Sequence, residues 1–151
     1  MNHAMKALLK IVLDRNEKKL EAEISENQSR FRPGKGTREG IFNLKIILQR
    51  YLEVQKPLFI CFIDYEKVFD HVYHDRIMQC LGHVDMNCND KWVIEKLYWQ
   101  QMATVRFSDE YSEFFPIKRG MLQGCVLSPK LFNLYTEKIF NESDDLLVKR
   151  I

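Results

Sequence analysis

The chain has few of the residues that mark fibrous, disulfide-bonded or membrane-spanning proteins. Of its 151 residues, six are glycine, four proline and four cysteine, which argues against a collagen repeat and a disulfide scaffold. The apolar stretch at residues 7–13 is interrupted by Lys10 and followed by Asp14, so it is too short and too charged to span a bilayer. No secretory cleavage site follows it. We therefore expect no membrane association, and free thiols in a reducing intracellular compartment, nuclear or cytoplasmic.

The composition is that of a globular protein, with 46% hydrophobic, 12% aromatic and 29% charged residues. Its length suits a single domain over residues 1–151. The net charge of +2 is too small to indicate nucleic acid binding, but residues 28–56, here called the basic segment, carry seven basic and two acidic side chains. Residues 57–151 carry 11 basic and 14 acidic side chains. Such a division is typical of a phosphate-binding region beside a cation site, or of an ordinary solvated helix face.

The order of predicted elements indicates an α+β fold, in which helices pack on a small antiparallel sheet. Apolar residues at helical spacing predict helices, and alternating residues predict a hairpin. Residues 58–63 form an unbroken apolar run that predicts a strand buried on both faces. The predicted helices are residues 5–24, 37–54 with Thr37 as N-cap, 74–81, 89–99 with Asn89 as N-cap, and 129–141; the predicted hairpin pairs residues 103–108 with 112–118.

Asp64 follows the apolar run directly, at the carboxyl end of the predicted strand. A rigid strand would hold this carboxylate while its oxygens reach the surface. Mg²⁺ prefers oxygen ligands and is bound in phosphoryl-transfer sites by one or two carboxylates together with substrate phosphates. The alternative is that Asp64 only caps the following turn, as many aspartates at strand ends do.

The sequence FIDYEKVFD, residues 62–70, resembles motif A of the reverse transcriptases of non-LTR (LINE-type) retrotransposons, F-x-D-x-x-K-A-F-D. We call it the motif A segment. The resemblance implies that Asp64 is a catalytic metal ligand and that the backbone carbonyl of Tyr65 is a further one. It also implies that Phe69 is the aromatic residue that screens the 2′ position of the nucleotide.

Two further segments match in the order of that family. QGCVLSPKLFN, residues 123–133, resembles motif B and is called the motif B segment; the resemblance makes Gln123, Gly124 and Ser128 nucleotide-binding residues. Lys130 departs from the pattern, since the family prefers an apolar residue there. FRPGKGT, residues 31–37, resembles the segment between fingers and palm. There Arg32 and Lys35 would contact the template backbone, and we add the neighbouring Arg38.

The resemblance covers about residues 8–142 and implies a partial fingers and palm domain of an RNA-directed DNA polymerase. The implied reaction is attack of a primer 3′-hydroxyl on a nucleotide α-phosphate, with Mg²⁺ as cofactor. An RNA template, a DNA primer and deoxynucleotides are the implied partners. The upstream fingers and the third motif, an aromatic-x-Asp-Asp turn, find no match; Asp144 and Asp145 lie in a polar run without strand pattern. We therefore expect this chain to be an internal piece, inactive on its own.

Other interpretations are compatible with parts of the same sequence. A catalytically silent remnant that binds nucleic acid, or a protein at an exposed half-palm, fits the same sequence. Cys80, His83 and Cys88 hint at zinc spacing but lack a fourth ligand, so a core thiol is the better interpretation of Cys80. Seven aromatic residues are predicted to lie in the core and not on a base-stacking surface: Phe59, Phe62, Tyr98, Trp99, Phe107, Phe114 and Phe115.

Overall fold

A computed structural model describes residues 2–142, which contain five α-helices and two short antiparallel strand pairs. The α+β class is therefore confirmed. Among the described residues, no helix combines the length and the apolar content that crossing a bilayer requires. The elements are α1 His3–Ala22, α2 Thr37–Glu53, a 3₁₀ turn at Val68–His71, α3 His74–His83, α4 Cys88–Trp99, β1 Met102–Ala103, β2 Arg106–Phe107, β3 Glu110–Tyr111, β4 Phe115–Pro116 and α5 Ser128–Glu142.

The core lies between helices, with α3 packed against both α4 and α5. Helix α1 contributes buried residues to this core, and their spacing places them along one side of α1. The predicted core thiol of Cys80 is confirmed, since it is buried. Residues that are almost fully enclosed include Leu9, Val12, Leu20, Val72, Ile77, Leu81, Ile94, Tyr98, Leu127 and Leu131.

Helix starts differ slightly from those predicted. The Asn2 side chain accepts a hydrogen bond from the backbone N–H of Met5 at 2.8 Å and caps α1. Helix α4 is capped by Asn87, two residues before the predicted cap, and its side chain accepts from the Asn89 N–H. Helix α2 begins after Gly36 without a side-chain cap.

The hairpin prediction is confirmed in outline, with shorter strands. Strand β1 pairs with β4, Met102 opposite Pro116, and β2 pairs with β3, Arg106 opposite Tyr111. Between these pairs the Thr104 hydroxyl donates to the Ser112 carbonyl at 2.7 Å. The hairpin is largely exposed, so the prediction that its aromatic residues are buried was wrong.

The prediction of a buried strand at residues 58–63 was also wrong. This stretch lies in neither a strand nor a helix. The side chains of Phe59 and Phe62 are 93% and 80% exposed. A strand is stable only beside another strand or against a packed face. Within residues 2–142, the two assigned strand pairs lie elsewhere in the chain, so the apolar run has no assigned strand beside it.

Helix α2 has the predicted bounds but not the predicted burial. None of its residues is buried, although its apolar residues follow helical spacing. Among the described residues it makes no extensive contact with another helix or strand. Its exposed apolar side comprises Ile41, Leu48, Tyr51 and Leu52, with Leu44 partly covered.

Candidate functional site

Backbone hydrogen bonds join the end of the motif A segment to the approach of the motif B segment. The Met121 N–H donates to the Phe69 carbonyl at 2.9 Å, and the Gly120 N–H donates to the Val72 carbonyl at 2.8 Å. These bonds cross about fifty residues of sequence. They fix the loop before α5 against the 3₁₀ turn that follows Asp64 and Tyr65.

Gly120 makes several of the contacts at this junction. Its φ of +105° is a backbone conformation that favours glycine. Its carbonyl lies 2.8 Å from His74 Nε2, so the start of α3 is held to the same loop. The His74 backbone N–H in turn donates to the Lys118 carbonyl at 3.2 Å. Hydrogen bonds to backbone atoms of the loop thus hold it in place, and the side chains of the loop take no part in these bonds.

Three aromatic rings connect the three sequence segments. The ring of Phe69 lies 4.6 Å from that of Phe132 on α5, and 6.1 Å from that of Phe31 in the basic segment. Phe69 is half-buried as a result. Phe31, Phe69 and Phe132 therefore pack together, and the ring expected to screen the nucleotide sugar is part of the contact between segments.

Ser128 faces inward and not toward solvent. Its hydroxyl donates to the Leu122 carbonyl at 2.9 Å and lies 3.2 Å from the hydroxyl of Tyr98. Burial raises the pKa of Tyr98 to about 12, although the hydrogen bond to Ser128 opposes the rise. The hydrogen-bonding groups of Ser128 thus serve the fold of the loop before α5.

A charged cluster fastens the basic segment to α1 and α5. Arg32 Nε donates to a Glu21 carboxylate oxygen at 2.7 Å, and Lys130 Nζ binds the other oxygen. Burial acts to raise the pKa of Glu21, but the hydrogen bonds and charges of Lys130 and Arg32 together outweigh it and lower that pKa. Lys130, the departure from the family pattern, is buried and also lies 3.8 Å from Glu17.

Two of the three basic residues expected to bind template are engaged by backbone carbonyls of the chain itself. Arg32 Nη1 donates to the carbonyls of Ser25 and Gln28, at 2.6 and 3.3 Å. Lys35 Nζ donates to the Glu26 carbonyl at 2.6 Å. Arg32 and Lys35 therefore hold the loop at residues 25–36 in shape.

Arg38, by contrast, is exposed on the first turn of α2. Within residues 2–142 its guanidinium makes no hydrogen bond or ion pair. Lys45 lies seven residues further on, two helical turns away and on the same side of the helix. Arg38 and Lys45 are thus exposed basic residues that flank Ile41 and Leu48 on one side of α2.

Asp64, Tyr65, Gln123 and Gly124 are all exposed. Gly124 has a φ of +72°, and a Cβ there would meet open space. Over residues 2–142, no three His, Cys, Asp or Glu side chains come together in a group able to hold a metal ion. Asp64 thus does not form a complete site with the described residues, and neither do Cys80, His83 and Cys88. Asp144 and Asp145 lie outside the described residues.

Sequence reasoning missed Glu21, Tyr98 and Gly120 as residues that hold the segments together. The signal for Gly120 was its place just after the predicted hairpin, which ends at residue 118, and before the predicted helix that begins at residue 129. Nothing in the local sequence around Glu21 indicates its partners, because Lys130 is 109 residues away.

Residues 1–148 match the model of a family described as reverse transcriptase (RNA-dependent DNA polymerase). The match covers nearly the whole chain. The chain belongs to the reverse transcriptase family, whose members bind nucleic acid templates and primers and use divalent metal ions.

Proposed function

We propose that the chain is a part of the reverse transcriptase of a non-LTR retrotransposon that carries motifs A and B. The observation that supports this most is the junction between the two segments, made by the backbone bonds of Phe69 and Val72 to the loop at residues 120–121. The resemblance to motifs A and B assigns both segments to one nucleotide site. A chance resemblance in either segment gives no reason for them to meet.

Within this proposal, Asp64 is the catalytic carboxylate, and the Tyr65 carbonyl is a second oxygen ligand for Mg²⁺. Gln123 and Gly124 face the incoming nucleotide, since both are exposed and Gly124 leaves room for close approach. Phe69 borders the sugar with the part of its ring that Phe132 leaves uncovered. Ser128 acts indirectly, by shaping the loop that carries Gln123 and Gly124.

Asp64 does not hold a two-metal site without further carboxylates, and the described residues place it in no group of three potential metal ligands. We therefore propose that this chain alone does not extend primers. Because the sequence also contains no aromatic-x-Asp-Asp turn, the missing carboxylates would have to come from outside this chain.

A nucleic acid binding role is favoured by a separate observation, the presence of two exposed basic side chains on α2. Arg38 and Lys45 are exposed and unpaired within the described residues. Charges of this kind bind phosphates and release counterions, which makes affinity depend on salt. Arg32 is a weaker candidate than its place in the sequence indicates, because Glu21 and two carbonyls engage it.

Binding of a single-stranded RNA oligonucleotide, measured across a salt series, tests this role. The double variant Arg38→Gln and Lys45→Gln should bind less tightly and lower the slope of log affinity against log salt by roughly 1.4, since each lost phosphate contact contributes about 0.7. The matched control is Lys6→Gln with Lys18→Gln, which removes the same charge from exposed positions on α1. Equal losses in both double variants, or no salt-dependent binding by the unmodified chain, would refute the assignment.

A further inference from the structure

The side chain of Phe31 presents part of an aromatic ring to solvent at the border of the proposed nucleotide site. Its ring meets that of Phe69 in a T-shaped arrangement, with the centroids 6.1 Å apart and the ring planes at 68°. Phe31 nevertheless remains 39% exposed. An exposed aromatic ring that a second ring supports is a flat surface of the kind on which unpaired nucleobases stack.

Arg30 places a positive charge beside this ring. Its guanidinium carbon lies 4.9 Å from the centroid of the Phe31 ring, which is the distance of a cation–π contact. Arg30 is exposed, and within residues 2–142 its guanidinium makes no hydrogen bond or ion pair. A guanidinium group stacks on bases and binds phosphates. Arg30 and Phe31 thus combine a stacking surface with a charge that attracts a phosphate backbone.

The backbone holds Phe31 in a conformation that a bulky residue seldom adopts. Its φ is +55°, in the left-handed region that favours glycine. Both neighbouring residues are anchored. The buried Asn133 side chain donates to the Arg30 carbonyl at 2.6 Å, and Arg32 donates to Glu21 at 2.7 Å. Because these anchors restrict the backbone on both sides of Phe31, its ring is held in place before any ligand binds.

The first turn of α2 lies close to the same surface. A Cβ at Gly40 would come 4.0 Å from the Ser29 hydroxyl oxygen, so this turn sits next to the loop that carries the Phe31 ring. Arg38 is exposed on that turn. The region around the Phe31 ring therefore offers a further exposed positive charge to a nucleic acid strand.

We propose that Phe31, together with Arg30, is a stacking site for an unpaired base of single-stranded RNA. The proposal rests on the proposed function, because it takes the basic segment to bind nucleic acid. It adds a contact with a base to the phosphate contacts of Arg38 and Lys45. Every base has an aromatic face, so the site adds affinity without sequence preference. A base inside a duplex is covered by its neighbours and does not use the site.

Fluorescence anisotropy of the full chain with a labelled single-stranded RNA, and with an abasic oligonucleotide of the same length and backbone, tests this proposal. The variant Phe31→Leu keeps an apolar side chain against Phe69 but removes the aromatic face. It should weaken RNA binding by about fivefold or more, through loss of one base–aromatic stack. It should leave binding of the abasic oligonucleotide unchanged, because the phosphate contacts remain. Phe31→Trp keeps an aromatic face and should retain RNA binding.

The variant Phe115→Leu is the matched control. Phe115 is 45% exposed, close to the value for Phe31, but it lies in β4, and its replacement should leave both affinities unchanged. Salt-dependent RNA binding that Phe31→Leu does not weaken would overturn the stacking site and leave the nucleic acid binding role of α2 standing. Equal losses of RNA and abasic binding in Phe31→Leu would also overturn it, since the ring would then act through the fold. Absence of RNA binding by the unmodified chain would refute both the stacking site and that role.

Discussion

Gly120 shows how a single residue joins the chain that follows the motif A segment to the loop that precedes the motif B segment. Its N–H binds the Val72 carbonyl, its carbonyl meets His74, and its φ of +105° permits both contacts at once. A side chain at this position would not clash severely, since a Cβ would lie 3.8 Å from the Asp70 carbonyl oxygen. The requirement for glycine is therefore a matter of backbone conformation.

Replacing Gly120 with alanine should lower the free energy of unfolding by about 1 to 3 kcal/mol, the cost of holding a residue with a side chain at this φ. Urea unfolding followed by circular dichroism measures it. Gly82→Ala is the control, because Gly82 lies in α3 with open space around its Cβ position, where alanine favours the helix. Equal stability of Gly120→Ala and the unmodified chain would show that the loop does not need this conformation.

Tyr98 gives a residue-scale prediction that depends on pH. Its folded pKa of about 12 lies above the value of 10.0 for an unperturbed phenol. The contribution of the neutral phenol to stability is thus complete below pH 10 and is lost as the pH rises toward 12. Near neutral pH, Tyr98→Phe should cost about 1 kcal/mol through loss of the hydrogen bond to Ser128.

The free energy of unfolding, measured at about pH 8 and at about pH 11, tests the direction of this pH dependence. The stability advantage of the unmodified chain over Tyr98→Phe should fall by about 1.4 kcal/mol between these two conditions. An advantage that stays constant or grows toward high pH would contradict the burial of the Tyr98 hydroxyl.

At the scale of elements, the loop at residues 25–36 is held by charge as well as by the packing of Phe31 against Phe69. Glu21 on α1 receives Arg32 from the loop and Lys130 from α5. The Asn133 side chain on α5 also donates to the Arg30 carbonyl at 2.6 Å. The position of the basic segment relative to the motif B segment therefore depends on Glu21.

Glu21→Gln should destabilise the fold by about 2 to 4 kcal/mol, because the buried ammonium of Lys130 then keeps only the more distant Glu17. Adding Lys130→Met removes that stranded charge and should restore part of the loss, giving a coupling above about 1 kcal/mol in a double-mutant cycle. Asp14→Asn, which breaks the exposed pair with Lys10, should leave the unfolding free energy unchanged. Additive effects of Glu21→Gln and Lys130→Met would rule out the cluster.

The elements that could be predicted from the sequence are those whose pattern is local. All five helices were predicted within a few residues, because apolar spacing and caps lie within each helix. The apolar patterns of residues 58–63 and of α2 predicted burial wrongly. An apolar pattern indicates that a face is able to be buried, but it does not indicate that a partner is present to bury it. Burial depends on distant residues, which no local pattern contains.

The same distinction separates the site residues. The sequence singled out residues 62–70 and 123–133 as two segments of one site, and the rings of Phe69 and Phe132 bring them into contact. That Arg32 binds Glu21 while Arg38 stays open to solvent could not be predicted, since both are basic residues in one segment. The pairing of Arg32 depends on a carboxylate on α1, and α1 gave no sign of that contact.

At the scale of the whole molecule, the chain divides into a packed part and an open part. The packed part joins α1, α3, α4 and α5 with the junction at Gly120. The open part comprises α2 and the apolar residues 58–63, and it ends at Asp64. The carboxylate proposed for catalysis thus lies where the packed part begins, and among the described residues it belongs to no group of three potential metal ligands.

The most direct test of this account is primer extension by the purified chain on an RNA template, with Mg²⁺ and deoxynucleotides, beside its Asp64→Ala variant. We predict that neither protein incorporates nucleotide above the background without protein, because Asp64 alone does not complete a two-metal site. Incorporation by the unmodified chain that disappears in Asp64→Ala would contradict the account, since it would show that this chain forms the complete site by itself.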